Sequence, residues 1–211
     1  SGAIGMGVGK LGLRERPKDI PSKQAAAAVG QCELMYTYDK LFSEYHHTVA
    51  QLLITGDDTT NDTRRFNFTN TLNRLLELGA LPVINENDTV ATDEIVIGDN
   101  DTLAAIVARS VHADMLILLS DIDGLYTADP HTHPEAALLH HVAGIDDHIR
   151  EIAGISSSTQ GTGGMVTKLH AADICLGCGC KMVIANGNNP GNLYDILEGK
   201  TVGTTFSEER L

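Results

Sequence analysis

The sequence predicts an α/β protein: a three-layer α/β/α sandwich on a mainly parallel central sheet, with its first strand missing. Three observations carry that prediction. Short apolar runs alternate with helix-periodic stretches through single short linkers, as in parallel sheets whose two faces are covered by crossover helices. The run at 114–119, Asp-Met-Leu-Ile-Leu-Leu, lacks polar alternation and suits a strand buried on both faces. No internal repeat or shift in composition marks a boundary. Residues 1–211 therefore read as one domain, incomplete at its N-terminus and long enough to bury a sizeable core.

Taken in order, Ser1, Gly2, Ala3 and Ile4 resemble the tail of a strand whose body is absent, and position 1 is not Met, so N-terminal truncation is expected. Good helix formers predict a helix over 23–45 and a buried strand over 48–54, followed by a polar loop at 56–63. A second helix is predicted over 65–78, stopped by Gly79. A strand at 80–84 runs into Asn85, Glu86, Asn87 and Asp88, and 93–97 suits a short hairpin arm. Residues 102–112 read as helix, 114–119 as strand and 146–153 as helix. The Ser/Gly/Thr-rich stretch 156–164 reads as flexible chain leading into a helix at 165–176. A strand at 182–185, a short helix at 193–197 and a last strand at 202–206 complete the pattern.

Composition narrows the function. A formal charge of −13 argues against a nucleic-acid partner, which needs clustered Lys and Arg. No apolar run approaches the roughly 20 residues that span a bilayer, no basic amphipathic helix suggests a membrane surface, and no signal-peptide pattern opens the chain. A cytoplasmic protein with no membrane partner is expected. Cys32, Cys175, Cys178 and Cys180 then read as reduced thiols. The spacing of the last three invites zinc, but zinc wants four ligands and only His170 lies nearby; a helix end, a turn and a strand there suit cysteine as a small hydrophobe. The nine histidines fall in predicted loops or on helix flanks, and none is read as a ligand.

The best site candidate is the acidic segment 82–103. Asn85 to Asp88 crowd a strand end, and Asp99, Asn100 and Asp101 follow a Gly98-led turn. Crowded carboxylates repel one another and are costly to desolvate, so a cation is expected among them: a metal, an ammonium group or a lysine. Strand ends in open α/β sheets are also where ligands bind. Lysine is absent from 41 to 167, and Lys168 then appears at the end of Gly161-Thr-Gly-Gly-Met-Val-Thr-Lys168. This is not a Walker A loop, but amides at a helix start, hydroxyls on Thr162 and Thr167 and one ammonium group suit a phosphoryl group; an ordinary surface loop is the alternative. Gly7, Gly9 and Gly12 match the dinucleotide fingerprint literally, without a preceding strand or a convincing helix, and read instead as a flexible glycine-rich crossing or as exposed amides beside the Ser1 hydroxyl. Ser120-Asp121 and Asp123-Gly124 close the most apolar strand and could be ordinary turn chemistry.

The stretches Ser1-Gly-Ala-Ile4, Val83-Ile-Asn-Glu-Asn-Asp88, Gly98-Asp-Asn-Asp101, Asp123-Gly-Leu-Tyr-Thr-Ala-Asp-Pro130 and Gly161 to Leu169 together resemble the amino acid kinase family, and within it the branch that acts on glutamate. The resemblance is nearly continuous from Ser1 to about Phe206. It implies the amino acid kinase fold and ATP-dependent phosphorylation of the γ-carboxylate of L-glutamate to L-glutamyl 5-phosphate, the first step of proline biosynthesis. It also implies Mg²⁺ carried on the ATP phosphates with no direct protein ligand, a homo-oligomer and proline as a feedback inhibitor. By matching position, Ser1, Asn85, Asp88, Asp99 and Asn100 would line the substrate pocket; Ser120 (usually Thr in the family), Asp121 and Thr162, Gly163, Gly164, Met165, Val166, Thr167 and Lys168 would line ATP. Lys168 would act on the transferring phosphoryl group and Asp101 would orient the catalytic lysines.

Two departures bear on this reading. The family's first strand, with a second catalytic lysine, has no match in Lys10, Lys18 or Lys23, so residues 1–211 alone are expected to be inactive or nearly so. Gly56 stands where a basic residue is usual, in a loop that helps to close or regulate the site. The alternatives are a related kinase of another small carboxylate or carbamate, and an inactive ligand-binding fragment.

Overall fold

In the computed structural model, which describes residues 2–90, 97–155 and 164–208, the glycine-rich start of the chain is a helix, α1 (Ala3–Lys10), and not the tail of a strand. The reason is packing rather than propensity. A Cβ on Gly7 would lie 1.8 Å from the Ala26 carbonyl oxygen, and one on Gly30 only 1.7 Å from that of Ala3. Glycine alone permits this approach between α1 and α2 (Ile20–Ser43), and Ala26 and Ala27 are buried along the same seam. At the start of α2 the Asp19 carboxylate accepts the Ser22 N–H at 2.9 Å, with proline in the first turn.

The chain divides into two compact units, Ser1–Asn100 and Asp101–Leu211. In the first, β1 (Val49–Ile54) and β2 (Leu81–Glu86) pair in parallel, Val49 opposite Leu81 and Ile54 opposite Glu86. The expected polar loop between them is instead a short helix, α3 (Gly56–Thr60), and the start of α4 (Asp62–Glu77). Two successive caps cause this. Thr55 donates its N–H and its hydroxyl to Asp58 at 2.7 Å each, and the Asn61 side chain accepts the Arg64 N–H at 3.1 Å. Burial pushes the Asp58 carboxyl up, but the hydrogen bonds from Thr55 and Arg64 outweigh it and hold the group below its ordinary value. Helix α4 ends as expected before Gly79, whose φ of 73° is the left-handed cap conformation.

The second unit begins with α5 (Asn100–Ser110) and β3 (Met115–Ser120), then β4 (His141–Val142), α6 (Asp147–Ile155), α7 (Met165–Leu176), β5 (Lys181–Asn186), α8 (Asn192–Leu197) and β6 (Thr204–Phe206). Its strands order β3-β5-β6-β4; β3/β5 and β4/β6 run parallel and β5/β6 antiparallel. The two-residue β4 was not expected from the sequence, being too short for a periodic signal. Strand β5 shows why both faces had to be apolar. Met182 and Ile184 join the core of Leu118, Leu169 and Phe206, while Val183 and Ala185 pack with Ile196 on the opposite face. Cys175 and Cys180 sit in the first of these cores, and burial, reinforced by Cys180, pushes the Cys175 thiol up to about 12. They behave as small hydrophobes.

The expected hairpin arm at 93–97 falls mostly, and the flexible stretch at 156–164 almost wholly, outside the described residues. Among the described residues no helix is long and apolar enough to cross a membrane.

Candidate active site

Each unit brings polar groups to the carboxyl ends of its parallel strands. In the second unit β3 and β5 end in register, Ser120 opposite Asn186, and both line a cavity of about 240 Å³. The head of α7 closes another side with Gly164, Met165 and Lys168. Gly164 offers no capping side chain and the Thr167 N–H turns back to the Gly164 carbonyl at 3.1 Å, which leaves the N–H groups of Met165 and Val166 to face an anion, as the helix dipole also favours.

Lys168 is the centre of this arrangement. It is 8% exposed, and its Nζ donates to Asp101 Oδ2 at 3.0 Å; the Thr167 hydroxyl donates to the same oxygen at 2.8 Å. Asp101 lies in the first turn of α5, so two helix starts converge on one ion pair. A buried lysine needs such a partner, because an unpaired charge there is strongly unfavourable. Lys168 and Asp101, both named from the sequence, are thus joined in one ion pair.

The loop after β3 is more than a turn. Asp123 accepts from the Asn186 amide at 2.8 Å and from the Tyr126 hydroxyl at 3.0 Å, and all three line the cavity. Burial, then the Asp123 carboxylate, raise the Tyr126 hydroxyl above its ordinary value, so it stays a proton donor. Asp123 therefore serves as a scaffold, whereas the Asp121 carboxylate accepts the Ser120 hydroxyl at 3.2 Å. Asn186 was passed over in the sequence, where the signal was a polar residue ending a buried strand, and Tyr126 was read only as part of the Asp123–Pro130 stretch and given no role.

In the first unit the acidic segment separates into distinct tasks. Asn85 is 3% exposed and its amide donates to the Gln31 side chain on α2 at 3.0 Å. Glu86, also buried, accepts the backbone N–H groups of Ile97 at 2.7 Å and Gly98 at 3.3 Å, so this carboxylate clips the segment that leads to Asp99. Asp88 is half-buried, and burial raises its carboxyl above the ordinary value, with the Arg16 guanidinium opposing the shift. Asp99 precedes α5 and Asn100 opens it. Of the remaining expected site residues, Thr167 turns to Asp101, Val166 is exposed and outside the cavity lining, and Ser1, Thr162 and Gly163 lie outside the described residues. Among the described residues no three His, Cys, Asp or Glu side chains form a group able to hold a metal ion.

The profile of the amino acid kinase family matches residues 1–186. A glutamate 5-kinase of Clostridium tetani is 53% identical over 207 residues, covering 98% of this chain and 78% of that protein. A glutamate 5-kinase of a Thermoanaerobacter species is 52% identical over 206 residues, but there the chain spans only 55% of the relative's length. Among solved structures, the isopentenyl phosphate kinase of T. acidophilum superposes with a TM-score of 0.61 at 20% identity, over 95% of this chain and 78% of that one. A UMP kinase of Bacillus anthracis gives 0.60 at 13% identity, over 100% and 75%. These two likenesses speak to the fold alone.

Proposed function

We propose that this chain, which belongs to the amino acid kinase family, transfers the γ-phosphoryl group of ATP to the γ-carboxylate of L-glutamate, giving L-glutamyl 5-phosphate and ADP at the first step of proline biosynthesis. What carries this reading is the buried Lys168–Asp101 pair at the head of α7, in a chain 53% identical to a glutamate 5-kinase over 98% of its length.

The chemistry asks little of the protein beyond placement and charge. A carboxylate of ordinary pKa, about 4.3, is ionised at neutral pH and needs no general base. Its oxygen attacks the γ-phosphorus, the bond to the ADP oxygen breaks, and negative charge spreads over the transferring group. The uncapped amides of α7 receive the phosphates, with Gly164 to Lys168 and the preceding Thr162 and Gly163 lining ATP and Ser120 and Asp121 beside the nucleotide. Lys168 neutralises the transferring phosphoryl group, and Asp101 holds the lysine in place with Thr167 as its second donor. Asp88 takes the substrate's α-ammonium, with Ser1, Asn85, Asp99 and Asn100 completing the pocket. Mg²⁺ carried on the ATP phosphates would add charge neutralisation, and Asp121, Asp123 and Asp129, all in the cavity lining, are the carboxylates that its water shell would meet. The proposal extends to a cytoplasmic homo-oligomer inhibited by proline, as the resemblance implies. ADP release across a panel of amino acids tests the substrate: release with glutamate is expected, and release with aspartate or N-acetylglutamate but not glutamate overturns the assignment.

Asp88 yields a further expectation. Its folded-state pKa lies above the ordinary carboxylate value, so the folded state binds the proton more tightly than the unfolded chain. Stability is therefore lost as pH rises through the window between the two pKa values, and at neutral pH the ionised group is a net cost. Asp88→Asn should raise the melting temperature at pH 7 while raising the KM for glutamate, and the thermal gain should fade as pH drops through the ordinary carboxylate value of about 3.9 and vanish about a unit below it, where both states are protonated. Melting curves from pH 3 to 8 check this; a variant that melts lower than the parent at pH 7 contradicts it.

A further inference from the structure

The first unit holds a buried amide that the roles assigned so far leave unexplained. Gln31 is 7% exposed in the middle of α2, on the face that carries Ala26, Ala27 and Gly30. Its Oε1 accepts the Asn85 amide at 3.0 Å, while its Nε2 is fully buried with no hydrogen-bond partner among the described residues. Leaving a buried donor unpaired incurs its full desolvation cost, which an apolar side chain of similar shape avoids. The Gln31–Asn85 pair lies at the carboxyl end of β2, at Asn85, one residue before the Ile54–Glu86 pair that ends the parallel ladder. Ligands of open α/β sheets bind at such strand ends.

We infer that Gln31 is a substrate-binding residue whose Nε2 donates a hydrogen bond to the α-carboxylate of the amino acid, with Asn85 fixing the amide's orientation. An N–H donor calls for an acceptor, and a carboxylate is the strongest available. Of the two carboxylates the α-group is the fitting one. The γ-carboxylate is the nucleophile, and a hydrogen bond to its oxygen would withdraw the electron pair that must reach phosphorus. Asp88 on the α-ammonium and Gln31 on the α-carboxylate together would recognise an amino acid head group, which a simple carboxylate lacks. The inference rests on the proposed glutamate kinase activity, and it adds the residue that reads the substrate's non-reacting end.

The test compares Gln31→Met and Gln31→Glu with the parent, using glutamate and 4-aminobutyrate, which lacks only the α-carboxylate. With Gln31→Met the KM for glutamate should rise roughly 10- to 100-fold, the factor a hydrogen bond to a charged group supplies, with the KM for ATP unchanged and the melting temperature equal or higher. Gln31→Glu, placing a carboxylate against a carboxylate, should lose more. For 4-aminobutyrate, followed as substrate or competitor, both variants should match the parent. An unchanged glutamate KM in Gln31→Met overturns the inference, as does an equal loss for both ligands, which marks a structural amide. A lower melting temperature in both variants with unaltered discrimination between the ligands also overturns it. If the parent turns over no glutamate while another amino acid serves, it is the activity assignment that fails, and Gln31→Met scored on that amino acid still decides the inference.

Discussion

Lys168→Ala is expected to lower kcat by about three orders of magnitude while the KM for glutamate moves by less than about threefold. The asymmetry follows from where the lysine sits. It belongs to the second unit, at the head of α7 beside the cavity assigned to ATP, and its charge matters most when negative charge accumulates on the transferring phosphoryl group. A group that binds charge formed only in the transition state changes kcat and leaves ground-state affinity largely intact. The same substitution strands Asp101, whose carboxylate already accepts the Thr167 hydroxyl and would lose its cation in a mostly buried setting. A fall in melting temperature therefore accompanies the kinetic loss. Asp101→Asn separates the two effects. The amide still accepts from Lys168 and Thr167 but carries no charge, so the lysine keeps its cation with looser placement, and a loss of about tenfold in kcat is expected. Steady-state kinetics on both variants, with melting curves to confirm folding, check the pair. An unchanged kcat in Lys168→Ala shows that Lys168 is only the counter-ion of Asp101.

The second unit was largely legible in the sequence. Strands β3 and β5 announce themselves as unbroken apolar runs because they pack on both faces, β5 throughout and β3 apart from the half-exposed Leu119, and α7 was placed with its observed bounds because a Gly-rich stretch precedes it and Gly177 follows. Lys168 and Asp101 stood out through charge placement: a lone lysine after a long gap, and a carboxylate opening an apolar helix. What escaped reading lies where long-range packing decides. Nothing local in Gly5, Gly7 and Gly9 favours helix; the seam against Gly30 and Ala26 does. Glu86 reads as one more acid in a crowded run, yet its two backbone N–H bonds come from residues 97 and 98, a pairing without a sequence period. Gln31 lies inside a predicted helix, and only its neighbour across the fold, Asn85, marks it as different from any other polar helical residue. Capping residues at Thr55 and Asn61 were local signals that the polar composition of the stretch obscured.

Gly30→Ala should destabilise the protein by about 2–3 kcal/mol, against the sign that helix propensity gives. In an exposed helix interior the exchange would stabilise by about 1 kcal/mol, because alanine loses less backbone freedom than glycine. Here the added methyl would stand 1.7 Å from the Ala3 carbonyl oxygen and 2.7 Å from the Gly7 amide nitrogen, and both are backbone atoms that cannot rotate away. Helix α1 must shift or detach, and the buried contacts of Ala3 and Gly7 go with it. The reciprocal change, Gly7→Ala, meets the Ala26 carbonyl at 1.8 Å and should cost a similar amount; because both variants break one seam, the double variant should lose less than the sum. A functional consequence follows from the next residue. Gln31 is adjacent to Gly30 on α2, so a displaced seam moves the amide assigned to the α-carboxylate, and the glutamate KM should rise with no change in the KM for ATP. Chemical denaturation of the single and double variants measures the cycle. Stabilisation by Gly30→Ala would mean that α1 and α2 are not in backbone contact, and strictly additive losses would mean that the two glycines do not share one interface.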